Sequence, residues 1–146
     1  MSESRFVDAR IYCEQLLNSG NRNPEILVLL GTAWRRLENY AEAERRCRAA
    51  LQLDPNFVEA HHILGTALQC QGRTDEAAAC YRAAVRLNPQ FAEAHYLLGN
   101  ILREQGLLEQ AADQYRETLR VEPDSIAALC NLGGTLTGLF QFEEAA

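Results

Sequence analysis

The chain has 146 residues, of which 47% are hydrophobic and 23% are charged, as is typical of a folded soluble protein. Its net charge is −6 and all 14 basic residues are arginine, which argues against binding to nucleic-acid phosphates. No apolar run approaches the roughly 20 residues that cross a bilayer, and no signal peptide is visible. We therefore expect a cytoplasmic protein that binds neither nucleic acid nor membrane.

In chain order, the first predicted element is a lone helix over residues 5–18. Apolar residues spaced three and four apart predict the next helix from Pro24 to Leu37, with Asn23 as its N-cap. A second helix from Tyr40 to Leu53 ends where Pro55 disfavours helical backbone in the residue before it. The later predicted helices are Phe57–Gln71, Thr74–Leu87, Phe91–Gln105, Leu108–Val121 and one that begins near Ile126.

Three residue types recur along these helices at one constant interval, the step from Gly31 to Gly65. They are Gly31, Gly65, Gly99 and Gly133; Ala43, Ala77, Ala111 and Ala145; and Pro55, Pro89 and Pro123. A fixed period of about 34 residues is typical of stacked helical repeats. Because small residues let helices approach closely, we expect Gly31 to face Ala43 within one helix pair.

This pattern resembles the tetratricopeptide repeat, in which leucine, glycine, alanine, a large residue and proline recur at fixed offsets. The first full unit reads Leu27, Leu30, Gly31, Trp34, Ala43, Cys47 and Pro55, and the next two follow it. The resemblance implies an all-α fold, a right-handed α-solenoid of antiparallel helix pairs. It predicts a single domain over 1–146, with a lone second helix in 5–23, full repeats at 24–57, 58–91 and 92–125, and a truncated fourth at 126–146 that stops within its second helix.

In this family the first helix of each repeat lines a concave groove, so the resemblance also implies a binding surface. The residues predicted to line it are Thr32, Arg35, His62, Thr66, Gln69, Tyr96, Asn100, Arg103 and Asn131. Amides and arginine can pair with main-chain carbonyls, and tyrosine supplies rigid contact area. The implied ligand is a peptide or protein segment.

Catalytic and metal sites are not indicated. The sequence has no nucleophile or phosphate-loop motif, and Glu25, Glu59 and Glu93 repeat with the period of the helices, as a solvated ladder would. His61 and His95 are predicted to pack between helices, and the five cysteines to be free thiols. We predict no cofactor, no bound metal and no enzymatic activity.

Two functions remain open. The first is a protein–protein interaction scaffold that holds a peptide in the groove. The second is a targeting or substrate-selecting region of a larger enzyme, such as a repeat-containing glycosyltransferase, of which this chain would be the N-terminal part. Since Phe140 and Phe142 would lack a covering helix, we also expect self-association through the ends of the stack.

Overall fold

A computed structural model describes residues 3–145, and helices account for most of them. In the described range they are α1 (Glu3–Asn18), α2 (Pro24–Arg36), α3 (Tyr40–Leu53), α4 (Val58–Cys70), α5 (Thr74–Leu87), α6 (Ala92–Glu104), α7 (Leu108–Val121) and α8 (Ile126–Ala145). The chain divides into two compact units, an N-terminal unit (Met1–Ala83) and a C-terminal unit (Ala84–Ala146). Each is described by itself below.

The prediction of an all-α fold of antiparallel helix pairs is confirmed. In the N-terminal unit α2 packs against α1, α3 and α4, and in the C-terminal unit α6 packs against α7 and α8. Helices α3, α5 and α7 have the predicted bounds, whereas α4 and α6 are one residue shorter at each end because those residues are caps. The single domain over 1–146 stays a prediction, and residues 1, 2 and 146 lie outside the described range.

The turn inside each helix pair needs one residue in the left-handed region. Glu38, Gly72 and Gly106, which occupy the same position in successive repeats, have φ values of 60°, 76° and 78°. In each turn the following N–H bonds to a carbonyl five residues back, as in Asn39 N to Trp34 O at 2.9 Å. Glycine adopts this conformation without the steric cost that a side chain brings.

The predicted break inside the fourth unit is wrong, because α8 runs unbroken from Ile126 to Ala145. The residue that would have to take the left-handed conformation is Phe140, which holds the position of Gly106 one repeat later. A bulky aromatic residue is strongly disfavoured there, so the helix continues. No second helix follows within the described residues.

Gly31, Gly65 and Gly99 each leave space for a side chain of the second helix in the same pair, and not for a close approach of that helix's backbone. A Cβ on Gly31 would lie 2.7 Å from Cys47 Sγ, and one on Gly65 or Gly99 would lie 2.7 or 2.8 Å from the ring of Tyr81 or Tyr115. The expected partner Ala43 is further away, its carbonyl oxygen lying 3.4 Å from that point. The large residue four positions after the alanine is therefore what requires the glycine.

Of the two histidines predicted to pack between helices, His95 is buried and His61 is half-buried, and both bind the preceding turn. His61 Nε2 donates to the carbonyl of Pro55 at 2.8 Å, and His95 Nε2 donates to that of Pro89 at 3.0 Å. His95, only 6% exposed, also places Nδ1 2.8 Å from the side-chain amide of Gln114. Each ring thus anchors a proline turn to the helix that follows it.

Candidate functional site

The N-terminal face comprises the predicted residues of the first helices α2 and α4: Thr32, Arg35, His62, Thr66 and Gln69. The two threonine hydroxyls donate to their own helix, Thr32 to the carbonyl of Val28 and Thr66 to that of Ile63, both at 2.9 Å. Such back-bonding uses the hydroxyl hydrogen inside the helix. Arg35 is half-buried, and within the described residues nothing accepts a hydrogen bond from its Nε.

The other two members of the N-terminal face are held by Tyr81 of α5. His62 is only 9% exposed, and its ring centroid lies 6.2 Å from that of Tyr81. The Tyr81 hydroxyl donates to Gln69 Oε1 at 3.0 Å. His62 was predicted to point into the groove, and its burial corrects this: it is a packing residue with little surface left for a ligand.

In the C-terminal unit the predicted residues meet in one hydrogen-bonded network, the C-terminal polar cluster: Tyr96, Asn100, Arg103 and Asn131, with Tyr115. Asn131 of α8 lies at its centre. Its Oδ1 accepts from Arg103 Nη1 at 3.1 Å, and its Nδ2 donates to Asn100 Oδ1 at 2.9 Å and to the Tyr96 hydroxyl at 3.2 Å. The cluster therefore ties α6 to α8 through side chains that are all half-buried except Tyr115.

Tyr115 was not among the predicted site residues. Its ring fills the space beside Gly99, with no exposed surface, and its hydroxyl donates to Asn100 Oδ1 at 2.7 Å. Burial raises the pKa of this hydroxyl, which therefore stays protonated and keeps donating at neutral pH. Tyr115 holds the position of Cys47 two repeats later, and the repeat pattern carries no sign that its hydroxyl reaches the first-helix face.

The hydrogen-bonding capacity that the cluster leaves unused consists mainly of donors. Asn100 Oδ1 accepts twice and Asn131 Oδ1 accepts once, so the amide oxygens are engaged inside the network. The Nδ2 of Asn100 and the remaining N–H groups of Arg103 are not used in it. A molecule that offered oxygen acceptors would therefore match this surface.

Carboxylates flank the cluster on one side. A cavity of about 300 Å³ is lined by Glu93, Tyr96, Thr118, Glu122 and Ser125 among others. Tyr96 belongs to both the cavity and the polar cluster. A ligand that lay along this face would thus meet donors at one end and acidic side chains at the other.

The remaining candidates carry structural roles. Arg45 and Arg46 pair with Glu42, and Arg48 pairs with Glu44, so these three arginines of α3 take part in local ion pairs. Glu25, Glu59 and Glu93 are exposed in first turns of helices.

All five cysteines are free. The described part of the chain holds no group of three or more metal-ligating side chains, and no helix in it is both long and apolar enough to span a bilayer.

The comparisons with known proteins agree on the family. Models of the tetratricopeptide repeat match residues 24–57, 47–79 and 64–135, which together span 24–135. The chain belongs to the tetratricopeptide repeat family. No curated protein sequence matches the chain significantly.

Several solved structures are similar to this chain. The crystal structure of MamA has a TM-score of 0.85 at 26% identity and covers 96% of this chain and 82% of its own. YrrB, described as a tetratricopeptide repeat protein with an unusual peptide-binding site, has a TM-score of 0.75 at 27% identity, covering 86% of this chain and 65% of its own. The first repeat domain of Spaghetti (RPAP3), bound to an HSP90 peptide, has a TM-score of 0.76 and covers 80% of this chain and 93% of its own. Because the two sequences are only 21% identical, this similarity shows the fold alone.

Proposed function

We propose that this chain is a non-catalytic interaction module that binds an extended peptide on its first-helix faces, with the C-terminal polar cluster as the principal contact. The observation that carries the proposal is the bonding of Asn131 to Arg103, Asn100 and Tyr96. A network that is already ordered loses little side-chain entropy when a ligand binds. The similarity to YrrB, whose description names a peptide-binding site, supports a peptide as the ligand.

The chemistry of the cluster selects the part of the peptide that it contacts. Asn100 Nδ2 and Arg103 supply donors, so the matching groups are main-chain carbonyls or a carboxylate. Main-chain carbonyls recur along any extended peptide, and Asn100 and Arg103 lie one helical turn apart on α6, so both can reach one strand of peptide. Glu93 and Glu122, which line the adjoining cavity, favour a peptide that also carries a basic residue.

The second candidate is a substrate-selecting region of a larger enzyme, and the Asn100–Asn131 bond of 2.9 Å supports it. A ladder of asparagines from successive repeats is a pattern found in repeat regions of O-linked glycosyltransferases. Asn100 and Asn131 come from successive repeats but hold different register positions: at the position of Asn131 the earlier units have Leu29, Ile63 and Leu97, so the match to that pattern is partial. Both candidates place a peptide on the same face.

The five free thiols support a reducing compartment, and we propose the cytoplasm.

The test begins with selection from a random peptide library displayed on phage against the full chain, followed by synthesis of the best binder. The double variant Tyr96→Ala with Asn100→Ala should bind that peptide with at least tenfold lower affinity, as measured by fluorescence anisotropy. The matched control is Thr32→Ala with Thr66→Ala, which removes only hydroxyls that bond their own helices. Equal affinity of the Tyr96/Asn100 variant and the wild type would refute the assignment of the site.

A further inference from the structure

Helix α8 exposes a face that the equivalent first helices bury. Leu136 is 40% exposed, whereas Leu68 and Leu102, which precede it by two repeats and one, are 1% and 2% exposed. Leu129 is 51% exposed against 7% for Leu27. Among the described residues, nothing lies within 4 Å of where a Cβ on Gly133 would stand. This is the face that receives a second helix in the other repeats.

Helix α1 exposes the complementary face of a second helix. Ala9 is exposed, whereas Ala43, Ala77 and Ala111 at the same register position are completely buried. Tyr12 beside it is 62% exposed. An apolar cavity of about 260 Å³ opens between α1 and α2, lined by Phe6, Ala9, Tyr12, Cys13, Leu29, Thr32 and Ala33.

The two faces are the two halves of an interface that the chain already builds. In the pair α2–α3, Gly31 faces Cys47, and in the pair α6–α7, Gly99 faces Tyr115. Gly133 of α8 and Cys13 of α1 occupy these same positions in the repeat. Similarly, Leu29 of α2 is 60% exposed, while Ile63, one repeat later, is 7% exposed in the unit where α2 packs against α4. Within the described residues, α1 and α2 thus expose the kind of surface that a first helix covers in the other repeats.

We propose that copies of this chain associate head to tail, with α8 of one copy packed against α1 and α2 of the next. Together α8 and α1 would then form one complete repeat, with Gly133 facing Cys13 of the second copy. The interface continues the register of the intramolecular pairs. The residues that would meet are largely uncharged, because α8 carries no charge from Ile126 to Phe142, and Ala9, Tyr12 and Cys13 are neutral.

This arrangement differs from a closed dimer. A twofold contact of α8 with α8 would set two first helices together, leaving Ala9 and Leu29 exposed on both copies. The head-to-tail contact joins two different surfaces, so each added copy presents a free face to another. Open association should therefore give dimers, trimers and longer chains as concentration rises.

The first experiment is sedimentation velocity over a concentration series of the wild type, Gly133→Leu and Gly134→Leu. We expect the mass of the wild type to rise beyond a dimer, and Gly133→Leu to remain a monomer because its side chain occupies the space needed by Cys13. Gly134→Leu adds the same side chain about 100° around α8 and should associate like the wild type. Both glycines have open space where a side chain would begin, so both variants should fold, which circular dichroism will check.

The second experiment traps the contact. In the pair α2–α3 a Cβ on Gly31 would lie 2.7 Å from Cys47 Sγ, so the two positions are in direct contact. Gly133→Cys, in a background with the exposed Cys70 and Cys130 changed to serine, should therefore cross-link to Cys13 of another copy under mild oxidation. The gel should show a ladder of species, and Gly134→Cys should show none. A wild type that stays monomeric at every concentration, or a cross-linked species that joins Gly133→Cys to itself and stops at a dimer, would overturn the proposal.

Discussion

The two units use the same helix pair but present different chemistry on their first helices. In the N-terminal unit Thr32 and Thr66 bond their own backbones, and Tyr81 holds Gln69. In the C-terminal unit the side chains bond one another across α6 and α8 through Asn131. The packing positions of the repeat are thus common to both units, whereas the variable positions between them determine which polar groups each face presents. Four predictions test this comparison.

The largest expected effect is on stability at high pH, because α3 of the N-terminal unit packs the thiol of Cys47 where α7 of the C-terminal unit packs Tyr115. Burial raises the pKa of Cys47 from about 9.0 to about 12. The folded state therefore holds this proton more tightly than the unfolded state. The stability it contributes is complete below pH 9 and is lost as the pH rises toward 12, by up to about 4 kcal/mol at 1.36 kcal/mol per unit.

Urea unfolding at a series of pH values from neutral to alkaline will measure this loss. The control is Cys47→Ala, which has no thiol to titrate and should show a shallower decline. Parallel curves for the variant and the wild type would show that the Cys47 proton contributes nothing to folding.

The next effect is overpacking at Gly99, compared with Gly133 in the same unit and register. Gly99→Leu drives a side chain into the ring of Tyr115, which has no exposed surface and no room to move. We expect a loss of about 3 kcal/mol or more in the free energy of unfolding. Gly133→Ala, in open space on a helix, should instead raise it by up to about 1 kcal/mol. Thermal and urea denaturation will compare them, and similar destabilisation of both would contradict the packing role given to the recurring glycine.

A smaller effect separates the two buried tyrosines. Tyr81→Phe and Tyr115→Phe each remove one hydroxyl bond, of 3.0 Å to Gln69 and 2.7 Å to Asn100, and each should cost about 1 kcal/mol in stability. Only Tyr115→Phe removes a hydrogen-bond donor from the C-terminal polar cluster, the one that bonds Asn100 Oδ1. Anisotropy titrations with the selected peptide should therefore show weaker binding for Tyr115→Phe alone. A matching loss for Tyr81→Phe would place the ligand on the N-terminal face as well.

The smallest effect concerns the turns. Glu38 holds a φ of 60° where Gly106 of the C-terminal unit holds 78°. Glu38→Gly relieves that strain but gives the unfolded chain more freedom, so we expect a net gain of roughly 0.5 kcal/mol. Urea denaturation measures it, with Glu109→Gly, inside the first turn of α7, as the destabilising comparison. A loss of stability in Glu38→Gly would show that the turn is not strained.

Most of the fold followed from the sequence because the constant period repeats every packing position. The bounds of α3, α5 and α7 were predicted correctly, since asparagine, proline and glycine mark their neighbouring turns. The unbroken α8 was missed, although the sequence contains the signal: Phe140 stands where Glu38, Gly72 and Gly106 take positive φ. The expected second helix was extrapolated from the three earlier repeats, and the identity of the turn residue Phe140 was not taken into account.

The polar network of the candidate site was anticipated only in part, for a reason that the repeat itself supplies. Projection of the period identified Tyr96, Asn100, Arg103 and Asn131, which the structure joins in one network. It gave the same weight to His62, which is buried, and none to Tyr115. Periodicity tells which way a Cα–Cβ bond points, but the reach of a tyrosine hydroxyl through the core to Asn100 depends on side-chain packing between helices.

The central claim is that hydrogen-bond donors of the C-terminal polar cluster bind the peptide. Titration of the ¹⁵N-labelled full chain with the selected peptide, followed by NMR through the side-chain amide signals of asparagine and the guanidinium Nε–H signals of arginine, tests it most directly. The signals of Asn100 Nδ2 and Arg103 Nε should shift, and Asn131→Leu, which copies Leu29 of the N-terminal unit, should abolish those shifts. Unchanged signals for both groups at saturating peptide would contradict the claim.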